Sequence, residues 1–288
     1  MADFNIALVG ECMIELQQVG QHLRKGFGGD TLNTAVYLSR LTAGKNVNVS
    51  YVTALGEDKI SQEMLDSWRS EGINTELVQR AKAKLPGLYM VETASDELIE
   101  ALVKQDAIYL SGISLAILPA TSRARLYDLL ARCKAAGGKI IFDNNYRPQL
   151  WRSAEEAAEH YQHILSVTHT ALLTFDDEQA VFGDTKIEQC IERTQALGVQ
   201  EMVLKQGGQE CVVVSQEHCI RVAAQHVAKE KVIDTNAAGD SFAAGYMSKR
   251  LLGAAATDAA KKAHQVAATV IQHQGAIIDA KFITPCID

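Results

Sequence analysis

The sequence predicts an α/β protein, with a mostly parallel central sheet covered by helices on both faces. Short continuous apolar runs such as "NIALVG" and "KIIF" alternate with longer segments in which apolar residues recur at helical spacing. A strand in a parallel sheet is buried on both faces, so it appears as a continuous apolar run. The chain has 288 residues, 47% of them hydrophobic and only 4 of them proline, which suffices for a large core.

The predicted elements follow one another in the order strand, helix, strand, helix from the N-terminal end. Residues 58–72 show the helical pattern plainly, since Met64, Leu65 and Trp68 share one face and Gly72 is a natural stop. The elements are strands at residues 4–11 and 47–56, helices at residues 30–41 and 58–72, and then "AIYLSG", a helix near "SRARLYDLLARCKAAGG", "KIIFDNN", a helix, "TALLTF", two short helices and "EMVLKQG".

Two places break this alternation. "ECVVVSQ" and "HCIRVAAQ" are successive strands, which predicts a hairpin at a sheet edge, and "INTELVQR" and "GLYMVET" also have no helix between them. The second pair predicts either a flap over the active site or a plain edge hairpin. We therefore expect one main domain, residues 1–72 and 94–288, with a small β-strand lid at residues 73–93.

Bulk composition excludes several classes of partner. Lys and Arg total 28 against 35 Asp and Glu, a net charge of -7, and no basic cluster is present, so nucleic-acid binding is not expected. No apolar run is long enough to cross a membrane, and no leader precedes the first strand. The six scattered cysteines form no CxxC pair, which favours reduced thiols and a cytoplasmic location.

The stretch "VIDTNAAGDSFAAGYM" has a strand-like start, a turn of small residues and then a helix. The first-turn amides of a helix lack internal partners and carry partial positive charge, so Ala237, Ala238 and Gly239 offer amides to an anion. Asp240 then lies beside that anion, where a carboxylate accepts a proton from an attacking hydroxyl. The alternative is that Asp240 only favours the helix dipole, and this stretch alone leaves both open.

Further motifs identify a resemblance. "DTNAAGDSFAAG" and "GFGGDTLNTAVYLSRL" resemble the C-terminal and N-terminal signatures of the ribokinase-like (PfkB) carbohydrate kinases, and the likeness extends over essentially the whole chain. Within that family, "GECMIEL", "LPGLYMVET", "FDNNYRPQLW" and "EKVIDTNAAGDSF" resemble the 2-keto-3-deoxygluconate kinases. A dinucleotide-dependent oxidoreductase is set aside, because the first strand–helix turn lacks G-x-G-x-x-G.

The resemblance implies a role for each matching residue. Asp240 would be the catalytic base, with the amides from Ala237 to Asp240 forming an anion hole. Arg147 would bind the substrate carboxylate through its planar fork of donors, with a surface salt bridge as the alternative. The residues implied on the sugar side are Gly28, Gly29, Asp30, Asn33, Tyr89, Asn145 and Arg147. Asp30 as a helix cap and Tyr89 as a core residue are the alternatives.

The resemblance also implies a nucleotide site and ATP with Mg²⁺ as cofactors. The usual Asn-x-x-Glu is replaced by "TFDDEQ", so Thr174 stands in for the Asn, and either Asp177 or Glu178 would hold Mg²⁺ through water. Asp234 and Thr235 either bind a monovalent cation, as in some family members, or support the turn. The residues implied around the nucleotide are Lys205, Gly207, Thr235, Gly239, His264, Ala267 and Gly275, with His264 as a packing residue.

The lid departs from the family pattern. After "MVETASD" the chain continues directly into "ELIEALVKQDAIYLSG", as though roughly twenty residues, enough for two strands, were absent. The second lid strand is thus missing after Asp96: either the lid is truncated or the sequence omits a segment, and the match of the flanking pieces on both sides favours omission. We expect a homo-oligomer, a dimer through the lid. The expected function is phosphorylation of 2-keto-3-deoxygluconate. The alternatives are a kinase for a neutral sugar of the fructose or ribose type, and a sensor without catalysis.

Overall fold

The structure, a computed structural model, describes residues 3–19, 22–82, 95–215 and 218–287. Strands and helices alternate along most of the chain. The strands are β1 (Phe4–Val9), β2 (Met13–Val19), β3 (His22–Gly28), β4 (Val47–Val52), β5 (Ala54–Leu55), β6 (Gln79–Arg80), β7 (Ala107–Ser111), β8 (Lys139–Asp143), β9 (Thr170–Thr174), β10 (Glu201–Lys205), β11 (Cys211–Ser215) and β12 (Cys219–Val222). The helices are α1 (Asp30–Leu41), α2 (Lys59–Ser70), α3 (Asp96–Val103), α4 (Gly112–Ala116), α5 (Ala120–Ala135), α6 (Ala154–Val167), α7 (Phe175–Phe182), α8 (Ile187–Ala196), α9 (Ala238–Arg250), α10 (Ala256–Val270) and α11 (Ala280–Ile283).

The central sheet has eight strands in the order β12-β11-β10-β9-β8-β7-β1-β4. The six strands from β10 to β4 run parallel, whereas β11 and β12 are antiparallel and form the predicted hairpin at one edge. The carboxyl ends of the parallel strands therefore meet at one rim, where open α/β sheets bind their ligands. The fold class predicted from the sequence is confirmed.

Helices cover both faces of this sheet. Along β1 the side chains alternate, so that Ile6 and Leu8 belong to one buried cluster and Ala7 and Val9 to the other. The first cluster packs under α1, α2, α9 and α10, and the second packs under α3, α5, α6, α7 and α8. Two separate cores thus hold the sheet rigidly between two layers of helices.

Small residues bring α9 close to its neighbours. A Cβ added to Gly245 would lie 2.8 Å from the Cα of Ala263 in α10, closer than atoms tolerate. On another side, α9 packs against α1, and the Thr34 hydroxyl donates to the carbonyl of Asp240 at 3.4 Å. This close packing fixes the N-terminal end of α9 beside the start of α1.

The structure differs from three sequence predictions. The antiparallel hairpin beside the sheet rim is formed by β2 and β3, which the sequence analysis did not predict. Within residues 73–82 the described strand is β6, which pairs parallel with β5, and "GLYMVET" lies outside the described residues. The segment before α9 is a short 3-10 helix, Lys229–Lys231, followed by irregular chain. The predicted strand-like start of this segment was therefore wrong.

The helices were also compared with the length and apolar character of membrane-spanning helices. Among the described residues, no helix combines the length and the apolar character that spanning a bilayer requires.

Candidate active site

Two cavities lie at the carboxyl rim of the sheet and meet at the start of α9. The larger, about 780 Å³, contains the side chains of Glu11, Asp30, Asp177 and Asp240, and we name it the acidic cavity. The smaller, about 480 Å³, is walled mainly by apolar side chains that include Phe242, Ala267 and Ile271, and we name it the apolar cavity. The residues that line both cavities are Thr174, Thr235, Ala238 and Gly239.

The junction of the cavities is a helix N-terminus. Ala237, the residue before α9, adopts a left-handed conformation with φ 57°, which turns the chain sharply into the helix. The amide of Ala238 already donates to the carbonyl of Thr235, so Gly239 and Asp240 supply the first-turn amides that have no partner within the helix. The Nζ atom of Lys205 lies 3.9 Å from where a Cβ on Gly239 would be. An anion at this junction would meet amides, a helix dipole and an ammonium group.

Asp240 extends from the first turn of α9 into the acidic cavity. Its Oδ2 accepts a hydrogen bond of 2.9 Å from the Nδ2 of Asn33, one turn into α1. Burial and then the nearby Asp30 carboxylate raise the pKa of Asp240 to about 8, although the bond from Asn33 and the charge of Lys205 lower it. The carboxyl is therefore a stronger base than a free Asp, and it is held at the junction of the two cavities.

The predicted sugar-side residues at the start of α1 lie together in the acidic cavity. Gly29 packs so closely that a Cβ would lie 2.3 Å from the carbonyl oxygen of Glu11, and a Cβ on Gly28 would meet the Glu15 carboxylate at 2.1 Å. Gly29, not Asp30, is the N-cap, and no side chain caps the helix. Asp30 accepts a 2.7 Å hydrogen bond from Nδ2 of Asn145, and burial raises its pKa. Its capping role is thereby excluded.

The pattern "FDNNYR" predicts an extended strand end with Asp143, Asn145 and Arg147 on one side. The loop after β8 does bring Asn145 and Arg147 to the same cavity, but it is not extended. Asn145 has φ 28°, a left-handed conformation, and its amide donates to the side chain of Asn144 at 2.9 Å. Asn144 is fully buried and also donates to the carbonyl of Thr174 at 3.0 Å. Arg147 is exposed at the cavity wall. Among the described residues it bonds only the neighbouring carbonyl of Tyr146, so its guanidinium has donors available.

Lys205 is buried at the end of β10 and lines the apolar cavity. Its Nζ bonds both carboxylate oxygens of Asp143 at 3.1 Å. A buried charge requires such a partner. Asp143 therefore points to Lys205 and supports the ammonium group near the α9 N-terminus, and it does not line the acidic cavity beside Asn145 and Arg147.

The other predicted nucleotide residues divide between the cavities. Gly207, with φ 59°, lines the apolar cavity together with His264 and Ala267. His264 is the predicted packing residue: its ring meets Phe242 edge-on at 5.1 Å, its Nε2 lies 3.1 Å from the carbonyl of Val222, and burial lowers its pKa. Gly275, predicted to close the adenine pocket, lies instead on the acidic cavity.

Comparison with known proteins decides the family. Residues 3–282 match the family described as pfkB family carbohydrate kinase. The chain belongs to this family. It is 50% identical to 2-dehydro-3-deoxygluconokinase of Dickeya dadantii, over 96% of this chain and 98% of that protein.

Solved structures of the same fold agree with the architecture. A PfkB protein from Polaromonas sp. JS666 has a TM-score of 0.82 at 22% identity, covering 98% of this chain and 99% of that chain. A fructokinase with bound ATP from Xylella fastidiosa has a TM-score of 0.78 at 21% identity, covering 98% of this chain and 97% of that chain. At these identities the likeness shows the ribokinase-like fold.

The alignment with the Dickeya protein is longer than the part of this chain that it covers. It runs over 303 positions, yet 96% of 288 residues is about 276, so about 27 positions have no counterpart in this kinase. A shortened lid stays a prediction, and Tyr89 lies outside the described residues.

The two acids offered for Mg²⁺ in this kinase are separated by the fold. Asp177 lines the acidic cavity close to Thr174, and one of its oxygens accepts the amide of Tyr146 at 3.0 Å. Glu178 is fully buried, and it binds Asn144 at 2.9 Å and Arg193 at 3.1 Å. Of these two acids, Asp177 lines the acidic cavity and Glu178 lines neither cavity.

The side chain of Asp234 stabilises the turn before α9. Oδ1 of Asp234 accepts the amide of Asn236 at 2.9 Å, and Oδ2 accepts the amide of Gly275 at 2.9 Å. Both oxygens therefore tie the turn to the C-terminal loop. These contacts favour the supporting role of Asp234 over the monovalent-cation role.

Two acidic residues that line the acidic cavity, Glu11 and Glu15, were missed by the sequence analysis. Glu11 follows Gly10 at the carboxyl end of β1, and its side chain lines this cavity although only 8% of the residue is exposed. The signal was available, because an acid directly after a central parallel strand lies where such sheets bind ligands.

Proposed function

We propose that this chain is an ATP-dependent sugar-acid kinase that converts 2-keto-3-deoxygluconate to 2-keto-3-deoxy-6-phosphogluconate. The observation that carries the proposal is the position of Asp240, a raised-pKa carboxyl beside a helix N-terminus where two cavities meet. The 50% identity to the Dickeya protein named 2-dehydro-3-deoxygluconokinase supports this choice of substrate. In this assignment the acidic cavity binds the sugar acid and the apolar cavity binds ATP.

Asp240 is assigned the general base. The terminal hydroxyl oxygen of the sugar forms a bond to the γ-phosphorus, the bond from that phosphorus to the bridging oxygen breaks, and ADP leaves. The ionised form of Asp240 takes the hydroxyl proton as the bond forms, while Asn33 orients its carboxylate through the 2.9 Å hydrogen bond. The amides of Gly239 and Asp240 and the ammonium of Lys205 stabilise the charge on the transferring group.

Arg147 is assigned the binding of the substrate carboxylate. It is the exposed arginine among the residues of the acidic cavity, and a guanidinium bonds a carboxylate through two parallel hydrogen bonds. The same cavity contains several carboxyl groups that would otherwise repel an acid. Arg147 therefore favours a sugar acid over the neutral sugars of the alternative reading.

Asp177 fits the Mg²⁺ that accompanies ATP. Its carboxylate has the hard oxygen ligands that this ion prefers, and it lines the cavity close to the α9 N-terminus. Mg²⁺ supplies neutralisation of phosphate charge when it is bound. Asp177 would bind it through water, and the amide of Tyr146 fixes the orientation of the carboxylate.

Two further assignments concern the environment of the protein. The hairpin of β2 and β3 exposes Met13, Leu16 and Leu23 by 54%, 65% and 67%, which supports dimerisation through this hairpin and not through the lid predicted at residues 73–93. We expect Leu16→Lys to reduce the mass measured by light scattering in solution, whereas an unchanged mass would count against this interface. The free cysteines favour the reducing cytoplasm.

The decisive experiment is an ATP-coupled assay with a panel of sugars and sugar acids, on protein whose full length has been checked by mass spectrometry. We expect ADP release with 2-keto-3-deoxygluconate and a far lower kcat/KM with fructose and ribose. A higher kcat/KM on a neutral sugar would favour the neutral-sugar kinase. Ligand binding without any ADP release would favour the sensor.

A further inference from the structure

Glu11 has an unused polar atom in the acidic cavity. Its Oε2 is buried and has no hydrogen-bond partner among the described residues. Of the described residues that line this cavity, Asn33 is the other with such an atom, its Oδ1. Buried polar atoms are nearly always paired in folded proteins, so a pair of unpaired ones at a cavity wall points to a ligand that pairs them.

The backbone holds Glu11 in place. The hydroxyl of Tyr51 donates to its carbonyl oxygen at 2.7 Å, and Gly29 packs against the same oxygen so closely that no side chain fits there. Glu11 is thus fixed between β4 and the start of α1. Rigid elements therefore set the position of this residue at the cavity wall, as a binding residue requires.

The surroundings of Glu11 favour its neutral form. The titratable groups that face it are Asp30 from α1, Asp240 from α9, Tyr51 from β4 and the adjacent Cys12. Burial first, and then the Asp30 carboxylate, raise the pKa of Glu11 to about 8. At neutral pH the carboxyl therefore carries a proton and donates a hydrogen bond.

We propose that Glu11 is a specificity-determining residue whose protonated carboxyl donates a hydrogen bond to a hydroxyl or keto oxygen of the sugar acid. The inference rests on the proposed function, and it adds a substrate contact to Asp240 and Arg147. A neutral carboxyl at this place binds an oxygen without repelling the anionic substrate. Asn33 complements it, since its free Oδ1 accepts a hydrogen bond from a substrate hydroxyl.

The test compares Glu11→Gln, Glu11→Ala and a control, Glu57→Gln, at an exposed glutamate outside both cavities. Steady-state kinetics are measured between pH 6 and pH 9.5 with 2-keto-3-deoxygluconate and with ATP. We expect Glu11→Ala to raise the KM for the sugar acid about tenfold, the effect of one lost hydrogen bond, with the KM for ATP unchanged. Glu11→Gln keeps an uncharged donor, so its KM at pH 7 stays within about threefold of wild type.

The pH profile separates this role from a structural one. The wild-type KM for the sugar acid should rise above pH 8 as Glu11 loses its proton, and that rise should be smaller in Glu11→Gln, in which Asp240 still titrates. A wild-type KM in Glu11→Ala, or the same alkaline rise in Glu11→Gln, would overturn the proposal. If Glu11→Ala does not fold, the profile of Glu11→Gln decides alone.

If the proposed function itself is wrong, the experiment gives a different result from the one that overturns the role of Glu11. Wild-type protein would then not phosphorylate 2-keto-3-deoxygluconate at all, and the same variants would be compared on the best substrate of the panel. An unchanged KM for that substrate in Glu11→Ala would overturn the role of Glu11 itself.

Discussion

The acidic and apolar cavities share the N-terminus of α9 but recognise ligands by different physics. The acidic cavity has ionisable groups whose raised pKa values depend on one another, among them Glu11, Asp30 and Asp240. The apolar cavity surrounds its contents with side chains such as Phe242 and Ala267, and His264 in its wall is a packing residue. Changes in the first should therefore be large and pH-dependent, and changes in the second small and independent of pH.

Asp240→Asn is the strongest test of this contrast. It removes the base and keeps the size of the side chain, so we expect kcat to fall by about 10³-fold or more while ATP still binds. Coupled assays give kcat, and calorimetric titration gives the affinity for ATP. Asp128→Asn, at an exposed position on α5, is the matched control. Substantial remaining turnover would mean that Asp240 is not the base.

Arg147→Ala should have the next largest effect, and only on acids. Loss of a charge-assisted pair costs about 1.5–3 kcal/mol, so the KM for the sugar acid should rise roughly 10- to 100-fold. The KM for a neutral sugar should change little. Arg152→Ala, on the same segment but outside both cavities, should leave both values unchanged. Equal losses for acid and neutral sugars would contradict the assigned role of Arg147.

The raised pKa values should also appear in stability. Folding raises the pKa of Asp240 from 3.8 to about 8, so between these values the folded protein binds more protons than the unfolded chain. The stability that the protonated Asp240 contributes to the folded protein is present in full below pH 4 and is lost as the pH rises to about 8. Asp240→Asn should thus raise the Tm more at pH 8.5 than at pH 5, by a difference on the order of 5 °C. A difference that does not change with pH would argue against a buried, strained carboxyl.

His264→Gln should have the smallest effect. The ring packs on Phe242 and has no assigned charge, so we expect the KM for ATP to rise about two- to fivefold, as a modest loss of packing would cause. The KM for the sugar acid should stay constant, and the ratio of variant to wild type should not change between pH 6 and pH 9. A pH-dependent ratio would show that the apolar cavity also uses ionisable groups.

Sequence patterns located most of the framework because they are local. The helix predicted at residues 30–41 begins and ends as α1 does, and the edge hairpin is β11 and β12. The β2–β3 hairpin was missed although Ile14 and Leu16 alternate with polar residues, because two short strands beside a long apolar run give a weak signal. Glu11 was missed because a single acid after a strand has no motif of its own.

The sequence by itself determined the fold class and the two family signatures, since each depends on neighbouring residues along the chain, and it made Asp240 a candidate base. Only the tertiary structure joined Asn33 to Asp240, 207 positions apart. The tertiary structure also showed that Asp177 lines the cavity and that Glu178 is buried away from it. Adjacent residues on a helix point about 100° apart, and no sequence pattern states which face meets the site. The raised pKa of Asp240 arose in the same way, from burial and from carboxylates that only folding brings together.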